Sequence, residues 1–283
     1  MHRKSAYILC LAVFAMLVIG IVMLFSTSAF AKESHNDVSY FVKHQAVWIA
    51  LGLIACTSAA LVDYHFWQRT WWIWFGLAVA LLAFCFVPHI GHRINGSRRW
   101  IGAGPMTFQP SEMARIAAVF FLAYWFTRYE KESKGILRGF VFPAAVIGVM
   151  IVLIAAEVDL GTTALIGATA FVLMFIAGTN PALLGVLAAL GVSAIIFIAT
   201  LMPERMDRLT AFMHPEKYKQ EAGLQQMQAL IAWGSGGIEG RGLGQGRQKM
   251  AYLPYAHTDF IFPMIGEELG LRVSLLVVFL FVL

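Results

Sequence analysis

Apolar residues in this chain fall into long runs that short polar segments separate. A helix needs about 20 mainly apolar residues to cross the hydrocarbon core of a bilayer. Measured against that length, the pattern predicts eight membrane-spanning helices: residues 6–25, 45–62, 71–89, 111–127, 140–156, 160–178, 181–202 and 260–283. The predicted fold class is therefore an all-α polytopic integral membrane protein, with a long loop at residues 203–259 between the seventh and eighth helices.

Composition indicates a membrane protein, and the positions of cysteine and histidine predict neither a disulfide framework nor a structural zinc site. Of the 283 residues, 59% are hydrophobic and 13% are charged, whereas a soluble domain has about 25% charged residues. Cys10, Cys56 and Cys85 all fall in predicted spans, so no disulfide framework is expected. His257 and Asp259 stand two apart, but no second pair has metal-ligand spacing.

The first apolar run allows a second interpretation. Basic residues precede it, and Ala29 and Ala31 follow it with the spacing of a signal-peptidase site. Its 20 apolar residues exceed the roughly 7 to 15 of a signal peptide. A retained first helix is favoured, and cleavage is the alternative.

Orientation follows from the basic residues of the loops. With a cytoplasmic N-terminus, the inner segments hold seven Lys and Arg residues and the outer segments twelve, of which seven lie in residues 203–259. The positive-inside rule gives most weight to short loops. We therefore expect the N-terminus inside and residues 203–259 outside the cytoplasm.

Basic residues cluster in the predicted external segments. The clusters comprise Arg98 and Arg99 beside Trp100, and Arg241, Arg247 and Lys249 in the glycine-rich stretch GSGGIEGRGLGQGRQK. Attraction to anionic lipid headgroups explains such residues in general. A site for a phosphorylated ligand explains their clustering, because the guanidinium fork matches phosphate oxygens. Trp100 is predicted either to anchor its loop at the headgroups or to stack against a sugar ring.

The glycine-rich stretch has seven glycines between Gly234 and Gly246. They free the backbone to present several N–H groups to an anion, although a flexible re-entrant turn would also explain them. The spacing fits neither G-x-x-x-x-G-K-[ST] nor G-x-G-x-x-G, so a nucleotide site is not predicted.

Ionisable residues also stand within the spans or at their ends. They are Glu112, Arg115, Glu157, Asp159, Glu267, Glu268 and Arg272. Glu112 and Arg115 are three apart, so they share a helix face, and Glu268 and Arg272 are four apart and are predicted to pair. Structural pairing is favoured over a chemical role for this group. Asp259 differs, because it has no basic neighbour one helical turn away and stands where an external loop meets a span.

Three stretches resemble one family, the SEDS proteins of shape, elongation, division and sporulation. They are NGSRRWIGAGPMTFQPSEMARI, EVDLGTT and GSGGIEGRGLGQGRQKMAYLPYAHTDFIFPMIGEELG. The motifs GRGLG, QK, YLP, AHTDFIF and IGEELG are closer to the division and sporulation members, FtsW and SpoVE, than to the elongation member RodA. Tyr255 departs from a frequent Glu, and Val158 from a frequent Pro.

The resemblance implies a single membrane domain over residues 1–283 that acts as a peptidoglycan glycosyltransferase. It would polymerise lipid II, an undecaprenyl-pyrophosphate-linked disaccharide peptide, on the outer face of the bacterial cytoplasmic membrane. A class B penicillin-binding protein, other divisome proteins and membrane lipids are the implied partners, and no nucleic acid is expected. Family members have about ten spans, so two spans are expected beyond the eight predicted here.

Sugar transfer from a lipid pyrophosphate needs a base for the acceptor hydroxyl and cations for the departing pyrophosphate. Asp259 is the candidate catalytic base, and residues 203–259 would carry part of the site. The candidate substrate-binding residues are Trp100, Arg98, Arg99, Arg241, Arg247, Lys249, His257 and Thr258. No cofactor is required by the pattern, although a divalent cation, Mg²⁺ or Mn²⁺, could assist at the pyrophosphate.

Two other functions stay open. A lipid II flippase would also carry charged residues in its spans, and a non-catalytic scaffold for a cell-wall synthase would need none of this chemistry. The charges gather on one side of the predicted membrane rather than along a path through it, which favours the enzyme.

Overall fold

The computed structural model describes residues 2–28, 39–88, 91–94, 97–103, 106–200, 206, 210–213, 223–250, 256 and 258–283. Its helices are α1 (His2–Ser28), α2 (Tyr40–Leu61), α3 (Tyr64–Arg69), α4 (Trp71–Phe84), α5 (Pro110–Arg128), α6 (Phe142–Ala156), α7 (Leu160–Ile176), α8 (Pro181–Thr200), α9 (Leu224–Gly236) and α10 (Ile261–Val282). A 3₁₀ turn at Glu130–Glu132 and a π-helical turn at Leu137–Val141 precede α6.

Long apolar helices confirm the predicted class of a multi-pass, mainly α-helical membrane protein. Within the described residues, the four helical stretches with the length and apolarity to cross a bilayer are Lys4–Ser28, Tyr40–Leu61, Leu137–Ala156 and Pro181–Ile198. Helices α4 and α7 are shorter but also apolar. The count of eight spans stays a prediction. The third predicted span ends early, at Phe84, because the backbone turns over Cys85, Phe86 and Val87.

The chain forms two compact units. Unit 1 comprises Met1–Ala59 and Met202–Leu283, and unit 2 comprises Ala60–Leu201.

Unit 2 is built around helix α5. Its buried residues Ala114, Ala117, Ala118 and Phe121 recur with the spacing of one helix face. Small alanine side chains let neighbouring membrane helices approach closely, and α4, α6 and α7 all pack against α5. On the opposite side of the helices from the α6–α7 turn, the Thr179 hydroxyl donates a hydrogen bond to the Gly139 carbonyl at 3.0 Å.

A small antiparallel sheet connects α4 to α5 in unit 2. Strands β1 (Gly91–Ile94), β2 (Ser97–Ala103) and β3 (Met106–Phe108) lie in the order β1-β2-β3. Gly91 pairs with Ile101, and Ile101 pairs with Phe108. The run pattern did not predict these strands. Successive residues of a strand face opposite sides, so Arg99 and Trp100 on β2 project in different directions.

Unit 1 is built around helix α10, which contacts both α1 and α9. Met23 of α1, Ala232 of α9 and Met264 of α10 belong to one buried cluster. Helices α9 and α10 approach closely, because a Cβ added at Gly236 would lie 2.0 Å from the Gly266 carbonyl oxygen. Glycine is therefore required where these two backbones meet.

Candidate functional site

A break in helix α10 organises the candidate site of unit 1. Gly270 has φ 78° and ψ −178° inside the helix, a conformation open to glycine but costly for other residues. Glu268 and Arg272 lie on either side of this break, so they lack the geometry of a regular i, i+4 pair. The prediction that they pair is wrong. Arg272 instead contacts Glu239 at 3.6 Å, and both side chains are exposed.

The glycine-rich loop supplies backbone partners at this break. The N–H groups of Arg241 and Gly242 donate to the carbonyls of Glu267 and Glu268 at 2.9 and 3.0 Å, and Leu271 N–H donates to the Gly237 carbonyl at 3.0 Å. Backbone groups freed by the break are thus satisfied by the loop, as buried polar groups require.

The same loop binds two internal anions. The Glu267 and Glu268 side chains are 1% and 0% exposed. Glu268 accepts hydrogen bonds from the backbone N–H groups of Gly244 and Gly246, at 2.9 and 3.3 Å. Glu267 accepts from those of Arg247 and Gln248, at 2.8 and 3.2 Å. The glycine pattern predicted N–H groups that face an anion, and in the structure these four face carboxylates of the chain itself.

Lys249 and Ser26 complete this network. The Lys249 side chain is buried, and its Nζ donates to Glu268 Oε1 at 2.5 Å and to Ser26 Oγ at 2.7 Å. Ser26 Oγ in turn contacts both Glu268 oxygens, at 2.9 and 2.7 Å. Helix α1, the loop and helix α10 are therefore tied together. The sequence suggested a substrate phosphate for Lys249, whereas the structure places its ammonium in this buried network.

Four further predicted site residues of unit 1 are exposed or partly exposed. Thr258 and Asp259 are exposed directly before α10, where the positive end of the helix dipole favours a negative charge. Arg247 has an exposed side chain. Arg241 is partly exposed, with Nε donating to the Ser235 carbonyl at 3.1 Å. His257 lies outside the described residues.

Unit 2 brings together a second set of predicted residues. Asp159 caps the N-terminus of α7, where it accepts from Thr162 N–H at 3.1 Å. Its Oδ2 lies 3.4 Å from Arg99 Nη1 and 3.3 Å from Gln109 Nε2. The sequence predicted Arg99 and Asp159 as site residues but not their contact. It did not predict that Gln109 belongs to the same cluster. Its position directly before Pro110, the first residue of α5, was the available signal.

Trp100 lies beside Arg99 on β2 and is partly exposed, which is compatible with both roles predicted for it. The side chain of Arg98 lies outside the described part of the structure. Glu112 and Arg115 share a face of α5, and Arg115 Nη2 lies 2.5 Å from Glu112 Oε1. That predicted pair is confirmed.

Glu157 lies in the turn that links α6 to α7 and is 2% exposed. Neither carboxyl oxygen has a hydrogen-bond partner among the described residues. Burial raises the pKa of this carboxyl to about 7, although the nearby Cys85 thiol and Arg99 act in the opposite direction. The next residue, Val158, has φ 65°, which proline cannot adopt and which strains a β-branched residue. The departure from proline at Val158 therefore accompanies a turn that proline could not form.

The described helices define a polytopic membrane protein in which a glycine-rich loop is folded onto a broken helix. Residues 7–283 match the sequence model of the cell cycle protein family that comprises FtsW, RodA and SpoVE. The chain belongs to this family, as the sequence resemblance predicted.

Curated relatives agree with this assignment. The chain is 38% identical over 281 residues to the probable peptidoglycan glycosyltransferase FtsW of Nitrosococcus halophilus, a match that covers 99% of this chain and 72% of the relative. It is 36% identical over 271 residues to the protein of the same name from Legionella pneumophila, covering 95% and 69%. It is 36% identical over 268 residues to stage V sporulation protein E of Bacillus subtilis, covering 94% and 73%.

Solved structures share the fold. One is a chain of a peptidoglycan synthase complex that coordinates polymerisation and crosslinking, with a TM-score of 0.69, 23% identity and coverage of 95% of this chain and 74% of that chain. Another is the rod shape determining protein RodA of Thermus thermophilus, with a TM-score of 0.53, 21% identity and 95% coverage of both chains.

Proposed function

We propose that this protein is a peptidoglycan glycosyltransferase that polymerises lipid II on the outer face of the bacterial cytoplasmic membrane. The family membership supports the reaction class, and three curated relatives carry names of that activity or of its sporulation branch. The observation on which the proposal rests is the placement of Asp259. Its carboxylate is exposed directly before helix α10, and the loop that carries Arg241 and Arg247 is hydrogen-bonded to the same helix.

Asp259 is proposed to act as the general base. It would accept the proton of an acceptor sugar hydroxyl as that oxygen bonds to the anomeric carbon of the donor. The bond between this carbon and the pyrophosphate oxygen breaks, and the lipid pyrophosphate leaves with the electron pair. Asp259 is exposed, so a sugar hydroxyl can approach its carboxylate, as a general base requires.

Arg241 and Arg247 are proposed to stabilise the departing pyrophosphate. Their loop is bonded to α10 at Glu267 and Glu268, about 9 to 11 Å along the helix from its first residue, Ile261, at 1.5 Å per residue. A lipid-linked disaccharide with its pyrophosphate can bridge such a distance. Positioned cations that meet developing charge are a large source of catalysis. Lys249 is proposed to support the fold of the loop, because its ammonium is buried against Glu268.

In unit 2, Arg99 and Trp100 remain proposed contacts for phosphate and sugar. The bond between Arg99 and Asp159 at 3.4 Å leaves the guanidinium partly exposed, so it can still meet an anion. Arg98, Thr258 and His257 stay proposed contacts on the strength of the sequence motifs alone.

A class B penicillin-binding protein is proposed to crosslink the product, and the similarity in fold to a chain of a peptidoglycan synthase complex supports such a partner.

The residues present could hold a divalent cation only together with the phosphates of the substrate. Mg²⁺ is commonly held by one or two carboxylates together with substrate phosphates. Asp259 is an exposed carboxylate, so holding such a cation is the alternative to its role as general base, and partial rescue of Asp259→Asn by a high concentration of Mg²⁺ or Mn²⁺ would show it.

Incubation of the full-length protein with lipid II in vesicles tests the proposal. Glycan polymer on gels is the expected result. Movement of lipid II between leaflets without polymer would show a flippase, and neither activity would show a scaffold.

A further inference from the structure

Helix α10 contains two neighbouring carboxylates, Glu267 and Glu268, that take no part in the proposed reaction. Glu267 and Glu268 are fully buried, and between them they accept hydrogen bonds from four backbone N–H groups of the glycine-rich loop. A buried charge is tolerated only when it is paired and hydrogen-bonded. The converse also holds: without these carboxylates, the four loop N–H groups, of which that of Gly246 is buried, would lose their acceptors.

We propose that Glu267 and Glu268 are positioning residues that occupy the anion-binding face of the glycine-rich loop and thereby set where its arginines stand during glycosyl transfer. This inference rests on the proposed function, because it assigns the arginines to the substrate pyrophosphate.

The connection to the arginines is direct. The backbone N–H of Arg247 donates to Glu267 Oε1 at 2.8 Å, and its exposed side chain extends from that fixed point. The backbone N–H of Arg241 donates to the Glu267 carbonyl at 2.9 Å, and its Nη1 lies 4.0 Å from Glu267 Oε1. Both arginines are therefore placed by bonds to a single residue of α10.

Charge pairing alone does not account for this arrangement. Lys249 forms an ion pair with Glu268. Among the described residues, Glu267 has a single ion pair, which is the long contact with Arg241. Glu267 is held mainly by backbone N–H groups, as in the anion-binding concavities called nests. A consequence is that these N–H groups are engaged internally, so substrate phosphate is left to the side chains.

Limited proteolysis of the purified full-length protein tests the first half of the proposal without any need for activity. Trypsin should cleave after Arg241 and Arg247 about tenfold faster in Glu267→Gln and Glu268→Gln than in the wild type, because the amide is a weaker acceptor than the carboxylate. Cleavage after Lys134, in the exposed turn after α5, should not change. Glu239→Gln is the matched control, because Glu239 is an exposed carboxylate of the same loop.

Gly246→Ala tests the same contact without altering charge. The added Cβ would lie 2.7 Å from Glu268 Oε1 and 3.1 Å from Glu267 Oε2. It should push both carboxylates away from the loop N–H groups, so cleavage after Arg241 and Arg247 should be as fast in this variant as in the Gln variants.

Polymerisation of lipid II tests the second half. The Gln variants should lose about tenfold or more in kcat, with KM changed by less than about threefold, because the arginines act on charge that develops in the transition state. The exchanged pair Glu268→Lys with Lys249→Glu keeps opposite charges but removes the acceptor for Gly244 and Gly246. It should be as impaired as Glu268→Gln.

Faster cleavage together with lower kcat, and no recovery in the exchanged pair, would support the proposal. Unchanged cleavage would overturn it, and so would faster cleavage with unchanged kcat or full recovery in the exchanged pair. If the wild type makes no polymer, the proposed function fails and the positioning role fails with it. The proteolysis result would still decide whether the carboxylates hold the loop.

Discussion

At the level of single residues, the buried carboxylates of this protein differ in how they are held. Glu267 and Glu268 accept hydrogen bonds from backbone N–H groups, whereas the groups near the Glu157 carboxyl are the Cys85 thiol, Asp159 and Arg99, and no backbone N–H of the described residues donates to it. An ionised carboxylate without partners is costly to bury. The neutral form of Glu157 is therefore the form that its site favours, and stability should depend on pH through this residue.

We expect the stability contributed by Glu157 to fall as pH rises. The folded protein raises the pKa of this carboxyl from 4.5 to about 7, so the native state holds the proton more tightly than the unfolded chain. The contribution is full below pH 4.5 and is lost as pH rises through about 7. Thermal unfolding in detergent should show a decline of the melting temperature across this window that is absent in Glu157→Gln.

Glu130→Gln provides the control for this measurement. Glu130 is exposed in the 3₁₀ turn after α5, so this variant should keep the decline seen in the wild type. An equal decline in Glu157→Gln would show that another group causes it.

At the level of elements, the glycine-rich loop and the broken helix α10 form a single structure. Gly240 has φ 82°, and a Cβ added there would lie 2.3 Å from the Glu268 carbonyl oxygen. Gly270 has φ 78°, and a Cβ there would lie 2.4 Å from Gly240 N. The two glycines allow the loop and helix backbones to touch, which brings the loop N–H groups within reach of the carboxylates.

Gly240→Ala should therefore lower the melting temperature of the protein. The left-handed conformation alone costs a residue with a Cβ about 1 to 2 kcal/mol, and the overlap with Glu268 adds to that cost. Gly234→Ala is the matched control, because Gly234 lies in helix α9 with nothing within 4 Å of the added Cβ. That variant should be unchanged or slightly more stable, since alanine favours helix. Equal melting temperatures for the two variants would contradict the close contact.

At the level of the whole molecule, the sequence was most informative where the bilayer decides the structure. The length of the apolar runs located the apolar helices, because a bilayer of a given thickness requires a given number of apolar residues to cross it. It could not predict the partners of the glycine-rich loop, because Glu267 and Glu268 lie about 20 residues away and meet it only through the tertiary fold. The predicted pair of Glu268 and Arg272 does not form, because the helix is broken at Gly270. The sequence could not predict this break, since a glycine permits a positive φ without requiring it. The apolar runs did not predict the sheet between α4 and α5. Two of its three strands have only four and three residues, and the seven-residue strand between them includes two arginines.

The orientation of the molecule underlies the proposed external site. A cysteine introduced next to Arg99 or Lys249, at an exposed neighbouring position such as Met250, should react with a membrane-impermeant thiol reagent in intact cells. One introduced at Lys134 should react only after the membrane is opened, because that turn is predicted to be cytoplasmic. Cys10, Cys56 and Cys85 are replaced by alanine beforehand in all of these proteins. Labelling with the opposite pattern would place the candidate site on the cytoplasmic side.

The proposed role of Asp259 as the base in glycan polymerisation is tested by comparing the wild type with Asp259→Asn on lipid II. Asparagine keeps the size of the side chain but cannot accept the proton, and a positioned base contributes about 10² to 10⁴ in rate. We expect the wild type to form glycan polymer. Asp259→Asn should insert and fold normally but form polymer at least about 100-fold more slowly, without rescue by added Mg²⁺ or Mn²⁺. Polymerisation by Asp259→Asn at the rate of the wild type would contradict it.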